Sequence, residues 1–267
     1  MNIMRRSPAA IVTALLTIGA ASFSAPSAAE QPAPLAQKTF ASPQDAVQAL
    51  LAAVKVHDKV ALRDIFGPRI HELLTGDEVL DKNNSQKFAA ALEESVKPLS
   101  EGDGKVILEI GANKWPFPIP LVKAGSNWRF DTDAGKEEIL SRHIGKNELH
   151  AIGVCRAYAR ARIDGGSGAV PNPIHGYRFR ILTRQGAAAP GGKMDYVNDG
   201  GHSGGFALAA YPEHWGRSGI MTFIINRDGE IYRRDLGEKT SRVAAAMAEY
   251  NPDGGWTLEK DEGVVAK

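Results

Sequence analysis

Residues 133–163 read DAGKEEILSRHIGKNELHAIGVCRAYARARI, and this stretch decides the architecture. Asp133 can cap a helix running from about Ala134 to Ile163, with Glu137 and Glu138 well placed in its positive first turn. Ile139, Leu140, Ile144, Leu149, Ile152, Cys155 and Tyr158 recur at the spacing of one buried helical face. Gly145 and Gly153 weaken the helix, which predicts a bend near Gly145. Nearer to each terminus the apolar period falls to two, the signature of half-buried strands. The expected fold is therefore α+β: N-terminal helices with a small antiparallel sheet, this long central helix, then a C-terminal antiparallel sheet.

Upstream, Ser42-Pro43-Gln44-Asp45 has the form of a helix start, and Val47, Leu50, Leu51 and Val54 fall on one face after it. Asp58 can cap a second helix through Leu62 and Ile65, which Gly67-Pro68 stops. A third helix is expected from about Asn84 to Lys97, with Phe88, Leu92 and Val96 as its stripe. Lys105 to Ile110 and Trp115 to Lys123 read as strands, and Gly125-Ser126 turns the chain into Trp128-Arg129-Phe130. In the second strand Pro116, Pro118 and Pro120 remove every amide donor from one edge. That strand must lie at an edge or leave the sheet there.

Downstream, Gly165 to Pro173 reads as a flexible connector. Tyr177, Phe179 and Ile181 alternate with Arg178 and Arg180 as a half-buried strand, and Gly204 to Tyr211 is a small-residue strand ended by Pro212. Met221–Ile225 and Glu230–Arg233 flank Asn226-Arg227-Asp228-Gly229 as a hairpin, and Thr240 to Tyr250 reads as a short closing helix.

The N-terminus predicts where the protein works. Arg5 and Arg6, the apolar run Ala9–Ala21 and Ser27-Ala28-Ala29 have the layout of a secretory signal peptide cleaved between Ala29 and Glu30. The expected divisions are a signal peptide at 1–29, a disordered leader at 30–41, an α+β domain at 42–133, a helix-plus-sheet domain at 134–256 and a tail at 257–267. Two of the 32 basic residues and none of the 31 acidic ones lie in the signal, so the mature chain carries a net charge of −1. Such a chain has no long-range field for nucleic acid or anionic membrane. Nor does the mature sequence hold an apolar run of membrane length, so no stable membrane insertion is expected. Cys155 is the only cysteine and reads as a small buried hydrophobe.

Gly201-His202-Ser203-Gly204-Gly205 matches the nucleophile elbow G-x-S-x-G, which would make Ser203 the catalytic residue of a serine hydrolase. An elbow needs an apolar strand before it and a helix after it, whereas Asp195–Gly200 is polar and glycine-rich and a strand follows. After Ser203 the last histidine, His214, has only its own neighbour Glu213 as an acid, and adjacent residues cannot form the oriented relay. Metal chemistry has little footing either: His143 and His150 stand about 10 Å apart along a helix. Asp131-Thr132-Asp133-Ala134-Gly135 begins like a calcium loop, but its glycine comes one place early and Arg142 occupies the acid's position. The sequence contains no phosphate loop, so neither a metal nor a cofactor is expected. Trp115, Phe117 and Trp128 are the candidate lining of a shallow apolar ligand site.

Three stretches resemble a bacterial secreted family known as domain of unknown function 2950. They run from Trp115-Pro-Phe-Pro-Ile-Pro-Leu-Val-Lys to Trp128-Arg-Phe-Asp, from Asn147-Glu-Leu to Cys155-Arg-Ala-Tyr158, and from His175-Gly-Tyr-Arg-Phe-Arg-Ile-Leu to Asp235-Leu-Gly237. The resemblance implies a periplasmic or extracellular location and brings no reaction with it. Between Tyr158 and His175 this chain is shorter than the family pattern, which carries an acidic and aromatic insertion there. The N-terminal half is also similar to nuclear-transport-factor-2-like folds, and the C-terminal half to the soluble domains of pilins and pseudopilins. Fold analogy sets no function. The expectation is an exported, non-catalytic binding or assembly-support module, partnered by an envelope protein or a small apolar or glycan ligand, with Ser203 hydrolysis as the alternative.

Overall fold

The computed structural model describes residues 37–73, 78–166, 170, 173–198, 201–202 and 205–260. The cleavage site at Ala29 and Glu30, and Ser203, lie outside the described residues. Helix α1 spans Pro43–Lys55, capped by Ser42, whose side chain accepts from the Asp45 amide. Helix α2 spans Lys59–Phe66 and is capped by Asp58. A 3-10 turn at Pro68–Leu73 precedes α3, Glu78–Glu94. Next come β1 (Val96–Ser100), β2 (Lys105–Ile110), β3 (Trp115–Pro116), β4 (Leu121–Ala124) and β5 (Asn127–Phe130). They form an antiparallel sheet in the order β1-β2-β4-β5, with β3 also on β2.

The helix expected to reach Lys97 stops at Glu94, and Val96 opens β1. Pro98 explains the change, because the residue before a proline avoids helical backbone. The proline-rich strand takes the second course open to it. The Phe117 amide still donates to the Leu108 carbonyl at 2.8 Å, and the chain then leaves the sheet over residues 118–120 and returns as β4, which lies between β2 and β5. Residues 37–41, read as leader, are built into this sheet. Phe40 and Trp128 exchange backbone hydrogen bonds at 2.8 and 2.7 Å, and Gln37 Nε2 donates to the carbonyls of Ile65 and Phe130. Leu50, Leu92, Leu108, Leu121 and Phe130 are the centre of the apolar cluster between helices and sheet. Each such burial is worth about 1.5–3 kcal/mol.

Helix α4 runs unbroken from Thr132 to Ile163, straight through Gly145 and Gly153. Its N-cap is Asp131 rather than Asp133, which pairs instead with Arg69 at 2.7 Å. The expected single buried face is corrected. Ile152, Cys155 and Tyr158 are buried, but Ile139, Leu140 and Leu149 are exposed. The helix changes partners along its length: Gly135 lies against Ile119 of the first sheet region, while the turns from Ala151 to Ala159 join the cluster of the second sheet. One continuous stripe therefore cannot serve both.

The second half contains β6 (Tyr177–Leu182), β7 (Arg184–Gln185), β8 (Met194–Asp195), β9 (Val197–Asn198), β10 (Gly201–His202), β11 (Ala207–Pro212), β12 (Met221–Asn226) and β13 (Ile231–Asp235). Helix α5 (Thr240–Ala246), β14 (Glu249–Tyr250) and β15 (Thr257–Leu258) complete the described chain. The main sheet is antiparallel in the order β15-β13-β12-β11-β6, so β15 extends it beyond residue 256. Every residue of β11, Ala-Leu-Ala-Ala-Tyr-Pro, is buried because both faces are covered. Leu208 and Ala210 face Cys155 and Tyr158 of α4, whereas Ala207 and Ala209 join Tyr196 and Tyr250 on the far side. Ile181, expected to point inward with Tyr177 and Phe179, is exposed, and Leu182 packs on the far side. Burial in the α4 layer pushes the Cys155 thiol up to about 12. Among the described residues no helix is long and apolar enough to cross a membrane.

A side chain at Gly135 would place its Cβ 2.6 Å from Ile119 Cγ1, whereas Gly145 faces open space. Gly135→Ala should cost about 1–3 kcal/mol by overpacking, and Gly145→Ala should stabilise by about 1 kcal/mol, as read by urea unfolding.

Candidate functional site

A polar grouping lies at the middle of α4, against the segment 213–221 that joins β11 to β12. Asn147, only 5% exposed, donates its amide to the Ser218 carbonyl at 2.9 Å and sits 3.1 Å from His143 Nε2. Glu148 Oε1 accepts the backbone amides of Ile220 and Met221 at 2.9 and 3.0 Å. The Tyr177 hydroxyl donates to the Met221 carbonyl at 2.8 Å. Burial, reinforced by the Glu148 charge, holds that phenol well above its ordinary range. Ser218 Oγ donates to the His214 carbonyl and accepts the His214 amide. Each of these groups is engaged by backbone, and none stands as a nucleophile against a base.

Two imidazoles lie beside this grouping. His150 and His175 stack with ring centroids 4.2 Å apart and an interplanar angle of 20°. His150 Nδ1 is enclosed without a hydrogen-bond partner. Burial, then the neighbouring His175 and Lys146, lowers the His150 imidazole below its ordinary value. Spacing along α4 alone could not reveal this pair, because His175 comes from a turn 25 positions away in sequence. The only advance signal was that Asn147-Glu-Leu and His175-Gly-Tyr both fall within the family-like stretches.

The three aromatics read as a ligand site are divided by the structure. Trp115 and Phe117 meet edge to face at 6.2 Å. Trp115 is 45% exposed, while Phe117 is buried and stacks on Phe88 at 5.2 Å. Trp128 pairs with Lys123, whose amide bonds Gly104 beyond one end of β2, while Trp115 pairs with Ile110 at the other. About six residues of strand, roughly 20 Å, separate the two tryptophans along β2. In place of Trp128 the structure brings Arg142 to Trp115. The guanidinium lies 5.6 Å from the indole centroid, with Nη1 on the Pro116 carbonyl at 2.8 Å and Nε on Glu138 at 2.7 Å. Around the unassigned Ser203, β10 pairs with β9 as a short hairpin and β11 follows Gly205 and Phe206. Among the described residues no three His, Cys, Asp or Glu side chains are grouped to hold a metal ion.

A family model described as "Protein of unknown function (DUF2950)" matches residues 37–169 and 162–258. The chain belongs to this family. No curated protein and no solved structure matches it. In this DUF2950 protein the two matched stretches overlap over residues 162–169, at the end of α4. Both the α4 polar grouping and the Trp115–Arg142 contact lie within the matched residues.

Glu148→Ala should leave two amides without an acceptor and cost about 2–3 kcal/mol in urea unfolding, whereas Glu148→Gln keeps an acceptor oxygen and should cost less than about 1 kcal/mol.

Proposed function

We propose that the protein is exported to the cell envelope and acts there as a non-catalytic binding module, with Trp115 and Arg142 as the core of its ligand site. The observation that carries this reading is the engagement of Asn147, Glu148, Tyr177 and Ser218 by backbone groups, which leaves the polar centre of the molecule a structural clamp. Export rests on the sequence of residues 1–29. Among the described residues, Gly201 and His202 pair with Val197 and Asn198, and the strand Ala207–Pro212 follows where an elbow that aims a nucleophilic serine needs a helix.

Trp115 suits recognition because its exposed indole is held in place from several sides. Phe117 packs against it from the core, and the cation of Arg142 sits over it, a contact worth about 0.5–1 kcal/mol at an exposed site. An indole face beside guanidinium donors matches the ring face and hydroxyls of a glycan, the ligand class that the site fits best.

The mature chain should be screened by thermal shift against peptidoglycan fragments and soluble oligosaccharides. A ligand at a hundredfold excess over its dissociation constant stabilises the folded state by about 2.7 kcal/mol. Trp115→Ala should abolish the shift and leave the unliganded midpoint within a degree or two. A shift that survives the substitution removes the site from consideration. The protein should also fail to hydrolyse simple esters or to take up a fluorophosphonate label. Ester turnover that disappears in Ser203→Ala would overturn the non-catalytic reading.

A further inference from the structure

We propose that the stacked imidazoles of His150 and His175 form an acid-released latch that holds the turn leading into β6 against α4. His175 and Gly176 are the two central residues of a tight turn, with φ of 46° and 71°. Reciprocal backbone hydrogen bonds between Ile174 and Tyr177, at 3.0 and 2.9 Å, close it. Left-handed backbone is natural for Gly176 but strained for His175, so the turn depends on contacts outside itself. The first contact is the His175 ring on His150. The second is Gly176, where a Cβ would come 2.7 Å from Ser218 Cβ and whose carbonyl accepts the Glu213 amide at 2.9 Å. Release of the turn therefore also loosens its hold on the 213–221 segment.

The charges around the pair determine the direction of the switch. On α4, Lys146 stands one turn before His150, His143 leans on Asn147, and Glu148 is turned to the amides of Ile220 and Met221. From the turn comes His175 itself. On the 213–221 segment Glu213 is ion-paired with Arg178 of β6, and His214 is bound to Ser218 through its backbone. Among the described residues no carboxylate pairs with either stacked ring. Neutral imidazoles can share this contact. Two protonated ones place like charges about 4 Å apart beside an ammonium, and repulsion then favours separation. The lowered His150 value has the matching sign, because a group that binds protons more readily once released makes acid favour the released form. The latch is thus closed above the ordinary imidazole value of 6.5 and weakens as pH falls below it.

Amide hydrogen exchange of the full chain, corrected for intrinsic rates, tests the latch at about pH 7.5 and about pH 5.5. Protection of the Tyr177 amide should fall about tenfold or more at the lower pH, while that of Leu208 in β11 holds. His150→Phe, which stacks without titrating, should show no fall. His175→Asn, which accepts the left-handed backbone but loses the stack, should exchange fast at both values. If His150→Phe fails to fold, His150→Gln supplies the same non-titrating comparison. A flat wild type, a fall that persists in the non-titrating variant, or an equal fall at Leu208 would overturn the proposal.

Discussion

The amides of Ile220 and Met221 mark the point where the segment joining β11 to β12 enters the second sheet. Buried backbone donors must find acceptors, and here a single carboxylate oxygen of Glu148 takes both. Asn147 and Tyr177 secure the carbonyls of Ser218 and Met221, so three residues of the segment, Ser218, Ile220 and Met221, are fixed by side chains from α4 and β6. This constraint sets where α4 lies across β11 and β12. It also explains why these side chains, each engaged by backbone, are poor candidates for chemistry.

Local signals were legible wherever the interaction that mattered was short in sequence. The caps at Ser42 and Asp58, the proline run at 116–120 and the Asn226–Gly229 hairpin were readable because each rests on neighbours a few positions apart. The missed features have distant causes. Strand β1 is short and holds Pro98, and only pairing with β2 gives it away. The exposure of Ile139, Leu140 and Leu149 follows from α4 meeting one sheet region at its start and another at its end, which no periodicity within the helix encodes. The partners of Glu148 are more than 70 positions away, and so is that of Asn147.

The candidate ligand site shows the same division. Trp115 and Phe117 are two positions apart and their meeting could be anticipated, whereas Trp128, on β5, is grouped with them by residue type alone. Arg142 was first read only as the wrong residue for a calcium loop. Its placement over Trp115 depends on α4 passing the end of β3, where the chain leaves the sheet after Phe117. The prolines thus do more than end a strand: the break they create is where helix and indole come together.

The sole cysteine has a consequence for how such a chain matures. With Cys155 sealed beneath β11 and no second thiol in the sequence, the native state forms no internal crosslink. In the envelope to which we propose it is exported, oxidising enzymes would therefore have no pair of thiols to join within this chain. Burial of the Cys155 thiol likewise shields it, while the fold is intact, from joining that of a second molecule.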